Sequence, residues 1–243
     1  YRQIMVDRTA WELLVLPPAQ PAAIVYTIAS RRDLAGAAAV FRAAYRDEIR
    51  LVLGADLEPT PAEHLFELLH EAEPHSLLVA VADGRVVGYL FAPESLQRIW
   101  QTALAEGHLW RWFTNWVRGR YRLRFSAVRM LLFDKYLFVR SAIRERAGLQ
   151  PRILSLAVDP AAQGQGIATH LVELALQRLA HVGAESVRLE VRPHNTAALR
   201  VYTRAGFSVQ RSVYDSRGEW WVMTRSLSAA QPGGGEPVSG SEV

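Results

Sequence analysis

Val158-Asp159-Pro160-Ala161-Ala162-Gln163-Gly164-Gln165-Gly166-Ile167-Ala168 joins the end of an apolar strand pattern to the start of an amphipathic helix. Glycines in such a loop leave backbone N–H groups unshielded, and a helix beginning just beyond them adds unpaired donors and a partial positive charge. That combination suits a pyrophosphate. The stretch is neither G-x-x-x-x-G-K-[ST] nor G-x-G-x-x-G, so neither a P-loop nor a dinucleotide-binding fold follows from it.

On the near side of this loop, Arg152 to Val158 reads as a strand. On the far side Ile167, Leu171, Leu174, Ala175, Leu179 and Val182 form the apolar stripe of a helix that Gly183 ends. Ser186 to Val191 is the next strand. Asn195 can cap a short helix through Arg204, Gly206 suits the left-handed position beyond its last turn, and Phe207 to Tyr214 with Glu219 to Leu227 reads as a closing hairpin. Upstream, Ile24 to Ala29 is a strand pattern, and Ser30 with Asp33 opens a helical one carrying Leu34, Ala37, Ala38, Phe41 and Tyr45. A second helix, Pro61 to Glu73, presents Leu65, Leu68 and Leu69. Ser76 to Ala82 and Arg85 to Phe91 meet at Asp83-Gly84, a two-residue hairpin signal because both positions tolerate positive φ. The fold class this predicts is α/β, in its α+β form: a central mixed sheet flanked by helices.

Gln163, Gly166 and Ala168, followed by Leu189-Glu190-Val191-Arg192-Pro193-His194-Asn195 and by Ala198, Tyr202, Gly206 and Phe207, resemble the GCN5-related N-acetyltransferase (GNAT) family. The first three satisfy its [QR]-x-x-G-x-[GA] signature. Leu189 to Phe207 is most similar to the subfamily that acetylates the N-terminal alanine of a ribosomal protein. The resemblance covers residues 152 to 227 well, residues 24 to 92 by pattern only, and residues 95 to 150 not at all. It implies that Leu156, Ala157, Val158, Gln163, Gly164, Gln165, Gly166, Ile167, Ala168, Thr169, Asn195 and Tyr202 bind acetyl-CoA. It also implies that Arg152 to Val158 and Ser186 to Val191 are parallel neighbours splaying apart at their C-terminal ends, and that Glu190 and Tyr202 serve as base and acid.

Acetyl transfer to an amine needs a cofactor grip, a deprotonated amine, a donor for the thioester oxygen and a proton for the departing thiolate. A main-chain N–H near Leu156 to Val158 would serve as that donor, so no metal is needed. An alkylamine is protonated near neutral pH, with reference pKa values of about 10.4 for lysine and about 8 for an α-amine. Glu190, near its strand end, could take that proton directly or through a water. The plainer alternative is a carboxylate paired with Arg188 or Arg192. Tyr202 lies two turns past Asn195 and could reach the sulfur, or could simply pack on Phe207. Asn195 reads equally well as a helix cap, and His194 as accessory.

The chain has 243 residues, half of them apolar, enough for a sizeable core, and no cysteine, which excludes disulfides, zinc thiolates and a Cys nucleophile. With neither a membrane-spanning run nor a signal-peptide pattern, a cytoplasmic location is expected. Residues 1–23, with three prolines, read as an extended arm; 24–228 as one domain; 229–243, rich in Gly, Ser and Pro, as a disordered tail.

The net charge is +4, but between Trp110 and Arg146 ten basic residues face only Asp134 and Glu145. This is part of an insertion at about 95–150, where Trp100, Trp110, Trp112, Phe113, Trp116, Tyr121 and Phe125 interleave with arginines. It could grip an anionic acceptor, lie on an anionic membrane surface or bind nucleic acid, the last ranking lowest because no recognised motif accompanies the charge. The bland alternative is a helical addition whose aromatics pack inward and whose arginines face water. The expected activity is acetyl transfer from acetyl-CoA to a primary amine in a ternary complex, the acceptor being a peptide N-terminus, a small amine or an amino sugar. The rival from another class is a non-catalytic sensor of CoA or acyl-CoA whose basic insertion docks to membrane or nucleic acid.

Overall fold

The computed structural model describes residues 23–121, 150–215 and 218–227. The expectations for the arm, the tail and the second half of the insertion, including Arg122, Arg124 and Phe125, lie outside these residues.

Strands β1 (Val25–Ile28), β2 (Leu77–Ala82) and β3 (Arg85–Phe91) form an antiparallel array. Asp83 and Gly84 turn the β2–β3 hairpin with φ of 50° and 72°, the pair of left-handed residues a tight hairpin demands. Three helices separate β1 from β2: α1 (Leu34–Ala44), α2 (Arg46–Leu53) and α3 (Pro59–Ala72). The sequence pattern led us to expect two; α2 is only eight residues long, and its stripe of Ile49, Val52 and Leu53 is half-buried and follows directly on that of α1. At the start of α1, Ser30 N–H and Oγ–H both donate to Asp33 Oδ2, at 2.8 and 2.7 Å, closing the turn that launches the helix.

Arg152 to Val158 is not one strand. The chain divides at Leu154 into β4 (Arg152–Ile153) and β5 (Ser155–Val158), which join different sheets. β5 pairs antiparallel with β3, placing Tyr89 opposite Ala157 and Phe91 opposite Ser155. β4 pairs parallel with β6 (Ser186–Val191), Ile153 opposite Leu189. The hydrogen bonds enforce the split: Leu154 N–H donates to Phe91 O in the first sheet at 2.9 Å, while Arg188 N–H donates to Pro151 O in the second at 3.1 Å. The second sheet is completed by β8 (Gly218–Ser226) and β7 (Ser208–Asp215), in the order β4-β6-β8-β7.

Helix α6 (Ile167–His181) packs its stripe of Leu171, Val172, Ala175 and Leu179 beneath both sheets, and helix α7 (Thr196–Arg204) joins it there. The opposite face of the first sheet is covered by α1 and α3, with Phe66, Tyr89 and Phe91 at its centre. The layering brings α6 close to β3: a Cβ on Gly88 would lie 2.9 Å from Ile167 Cγ2.

The described part of the insertion is a helical pair, α4 (Leu96–Ala105) and α5 (His108–Val117). Its root is tied down by buried Glu73, whose carboxylate accepts from Ser76 Oγ at 2.7 Å, Glu94 N–H at 2.8 Å and Ser95 N–H at 3.0 Å. Helix α5 only partly follows the aromatics-in arrangement: Tyr121 is buried and Trp112 and Trp116 are half-buried, while other aromatics face outward. Its inward side is polar, with His108 Nε2 2.8 Å from Glu71, Arg111 2.8 Å from Glu67, and Tyr121 beyond its end bonded to His64 Nδ1 at 2.6 Å. Trp110, 69% exposed, and Phe113 stack outward at 5.7 Å between centroids.

Candidate active site

Beyond β5, Asp159 Oδ1 accepts from Ala161 N–H at 2.9 Å and closes a 3-10 turn over Pro160–Ala162. Gln163 is extended, and Gly164 and Gly166 follow with φ of 82° and 79°. A Cβ at either glycine would meet nothing within 4 Å, so the loop surrounds open space and the left-handed backbone is what requires glycine. Gly166 is the N-cap of α6 and no side chain caps that terminus. Ile167 is only 2% exposed, so of the loop residues assigned to acetyl-CoA it can offer only its N–H. Gln165 lies exposed, while Ala168 and Thr169 are half-buried in the first turn.

The division at Leu154 opens the sheet. β5 has a partner on the β3 side only, and β6 runs past the end of β4 so that Glu190 and Val191 border the gap. Asp159 N–H bonds Val87 O at 2.8 Å and Ala157 stands opposite Tyr89, so alternation turns the peptide groups of Leu156 and Val158 away from β3, toward the gap. This is the splay expected from the sequence, reached by a break in the strand rather than by divergence of two continuous ones.

Tyr202 sits on α7 with its ring edge-on to Phe207, centroids 5.9 Å apart. The plain expectation for Tyr202, packing on Phe207, therefore holds for the ring, while the hydroxyl has no hydrogen-bond partner among the described residues. Burial pushes that hydroxyl far above the usual tyrosine range, and the nearby Tyr45 pushes it in the same direction. Tyr45, at the α1–α2 junction, donates to Leu156 O at 2.8 Å; Tyr89 Oη and Ser155 Oγ are 2.7 Å apart. Three tyrosines and a serine thus converge on the β5 edge. Tyr45 and Tyr89 were legible only as core aromatics, and Ser155 carried no signal at all.

Glu190 projects from the face of β6 opposite the apolar Val187, Leu189 and Val191. Its Oε1 accepts from Arg188 Nε at 2.7 Å, with Arg152 Nη1 at 3.7 Å. The carboxylate is 13% exposed, at the mouth of the gap, and already faces two guanidinium groups. Arg192 instead pairs bidentately with Asp215 at 3.1 Å to each oxygen and lies 3.9 Å over the Trp220 ring. Asn195 Oδ1 accepts from Ala198 N–H at 3.0 Å, capping α7. His194 lies in the preceding turn.

The model of the acetyltransferase (GNAT) family matches residues 41–207, which span both layers of helices, the split strand, the glycine loop and Tyr202. The chain belongs to the GNAT family. Among its relatives, a mycothiol acetyltransferase of Sanguibacter keddieii is 48% identical over 56 residues, 23% of this chain and 18% of that protein. A [ribosomal protein bS18]-alanine N-acetyltransferase of Haemophilus ducreyi is 41% identical over 56 residues, 23% of this chain and 39% of that protein. The matches therefore span well under half the length of these relatives. Among solved structures, yncA of Salmonella typhimurium with its cofactor acetyl-CoA superposes with a TM-score of 0.50 at 16% identity, covering 87% of this chain and 98% of that one. That likeness is one of fold.

The GNAT fold explains why these features lie together: one strand-to-helix connection supplies the loop, and the strand leading into it supplies the open edge. The residues present fit acetyl-CoA. The uncapped α6 terminus and left-handed glycines offer donors to phosphate oxygens, and the β5 edge offers donors to a narrow arm beside them.

Proposed function

We propose that this chain is an acetyl-CoA-dependent N-acetyltransferase that moves acetyl directly to a primary amine in a ternary complex. The observation carrying it is the gap itself. An open strand edge with two outward peptide groups leads straight into an anion-suited loop, and the Tyr202 hydroxyl is held close to that edge. The thioester supplies the acetyl group. Gly164, Gly166 and the first turn of α6 hold the pyrophosphate, and Leu156 and Val158 N–H groups face the arm and the carbonyl to be attacked.

Glu190 takes the proton of the incoming ammonium. Because Arg188 and Arg152 compete for its oxygens, transfer through a water suits it better than direct contact. On the other face of the sheet, Tyr202 stays protonated through the neutral range, since burial raises it, and it can give its proton to the leaving sulfur. Asn195 fixes the α7 start and so the position of Tyr202. The acceptor class that the relatives support is an amine, with a peptide N-terminus, small amines and amino sugars as its members to distinguish.

The test is thiol release from acetyl-CoA against peptide N-termini, polyamines, amino sugars and aminoglycosides, comparing the wild type with Tyr202→Phe. Release with one acceptor class, cut about tenfold or more in the variant, supports the proposal. Calorimetric binding of acetyl-CoA without turnover on any acceptor would replace it with the sensor reading.

A further inference from the structure

The outward edge of β5 carries two carbonyls as well as two N–H groups, and each carbonyl is occupied by a side chain of this protein. Tyr45 Oη donates to Leu156 O at 2.8 Å, and Gln163 Nε2 donates to Val158 O at 3.3 Å. Neither donor comes from a neighbouring strand: Tyr45 reaches in from the α1–α2 junction, and Gln163 folds back from the loop. An ordinary strand edge alternates donors and acceptors. Here each outward acceptor already carries one donor from a side chain of this protein, which engages one of the carbonyl's two lone pairs.

We infer that Tyr45, by holding the Leu156 peptide of the splayed edge, is a positioning residue for acetyl transfer. The inference rests on the acetyl-CoA reading above. A bare Leu156 carbonyl would aim the negative end of its dipole into the cleft where negative charge develops on the thioester oxygen, opposing the adjacent N–H groups. A hydroxyl donated to that carbonyl offsets its negative end and fixes the peptide plane, in a buried setting where such contacts count for more than in water.

Several observations on the tyrosine agree. Its ring is anchored by Phe41, centroids 5.3 Å apart, so the hydroxyl is delivered to a fixed point. Burial raises it above the usual tyrosine range, so it remains a donor throughout neutral pH. It also stands close enough to the Tyr202 and Tyr89 hydroxyls to oppose their ionisation. A role in covering Leu156 O predicts a loss confined to the chemical step, because the uncovered carbonyl opposes charge that appears only during transfer.

Tyr45→Phe keeps the ring and deletes the donor. For this variant and the wild type we would measure kcat with a saturating acceptor, acetyl-CoA affinity by calorimetry, acceptor KM and thermal midpoint. The expected result is a fall in kcat of about tenfold with acetyl-CoA Kd and acceptor KM within threefold and a midpoint lowered by no more than about 6 °C, the loss of one hydrogen bond. Equal kcat overturns the inference, as does a loss that appears wholly in acceptor KM, which would make Tyr45 an acceptor contact. A wild type that neither binds acetyl-CoA nor releases thiol removes the acetyl-CoA reading itself, and this inference with it; an active wild type with an equally active variant removes only the role of Tyr45.

Discussion

Gly88→Ala probes how tightly the cofactor helix is seated on the sheet. The added Cβ would stand 2.9 Å from Ile167 Cγ2, 3.4 Å from Ala157 O and 3.5 Å from Leu171 Cδ1. The last two distances are tolerable. The first is about 1 Å short of an ordinary carbon–carbon separation, and Ile167 cannot swing aside, being 2% exposed and the first residue of α6. Overpacking of this kind costs about 1–3 kcal/mol, while replacing a strand glycine by alanine returns about 0.5–1 kcal/mol of backbone entropy, so the middles of the two ranges leave a net loss of about 1 kcal/mol. For a chain of this size that lowers the midpoint by about 2–4 °C. Because relief comes most simply from moving the start of α6, acetyl-CoA affinity should fall as well. Thermal melts and calorimetry on Gly88→Ala, Ile167→Ala and the double variant would read this as a cycle, the double being less destabilised than the sum by about 1 kcal/mol. Strict additivity, or a Gly88→Ala chain as stable as wild type, would refute the packing argument.

Four further outcomes follow from the same geometry. Gly166→Ala forces a side chain into a left-handed residue at the α6 cap and should cost about 1–2 kcal/mol in stability and weaken acetyl-CoA at least tenfold by titration; unchanged affinity would mean the loop does not hold the pyrophosphate. Glu190→Gln should lower kcat/KM about tenfold or more at neutral pH with a smaller effect at alkaline pH, where the amine has already lost its proton; a uniform loss across pH would point to the Arg188 and Arg152 contacts instead. Because Tyr202 is held protonated well beyond neutral pH, its ionisation should give the rate profile no alkaline limb below about pH 8, and a limb centred there that disappears in Tyr202→Phe would contradict the raised hydroxyl. His64, depressed below its ordinary value by burial, binds a proton less readily folded than unfolded, so its contribution to stability is present above about pH 6.5 and is lost as pH falls below that value through the lower folded one; denaturant melts from about pH 7.5 to 5 should show the decline, and His64→Gln should shrink it, with His70, depressed in the same direction by burial, contributing a further part.

The parts of the fold visible in the sequence were those whose signals are local. Asp83-Gly84, the Gln163 to Ala168 loop, the stripe of α6 and Gly206, which has φ of 82°, each need only their own neighbours to be read. What stayed hidden depended on partners far along the chain. Nothing in Arg152 to Val158 says that Ile153 will face Leu189 while Ser155 faces Phe91. The polar contacts of α5 are dictated by His64, Glu67 and Glu71, which lie on another helix and draw His108, Arg111 and the Tyr121 hydroxyl inward. Tyr45 has an apolar ring that fits a core stripe, and the destination of its hydroxyl is set by the Leu156 carbonyl, 111 residues away. Glu190 was a middle case: Arg188 two residues earlier in a strand necessarily shares its face, so their pairing was foreseeable, whereas the approach of Arg152 required the parallel register.

An unpaired strand is ordinarily an aggregation hazard, because a second chain can dock its own backbone there and propagate a sheet. The edge left by the break at Leu154 escapes this in two ways. It faces β6 across a gap inside the molecule rather than lying at the rim of a sheet. With Leu156 O and Val158 O each already engaged, an incoming strand would also have to contend with Tyr45 and Gln163 for the acceptors it needs in alternation. A protein can thus keep backbone donors permanently exposed to a slender ligand while presenting no template to its own copies.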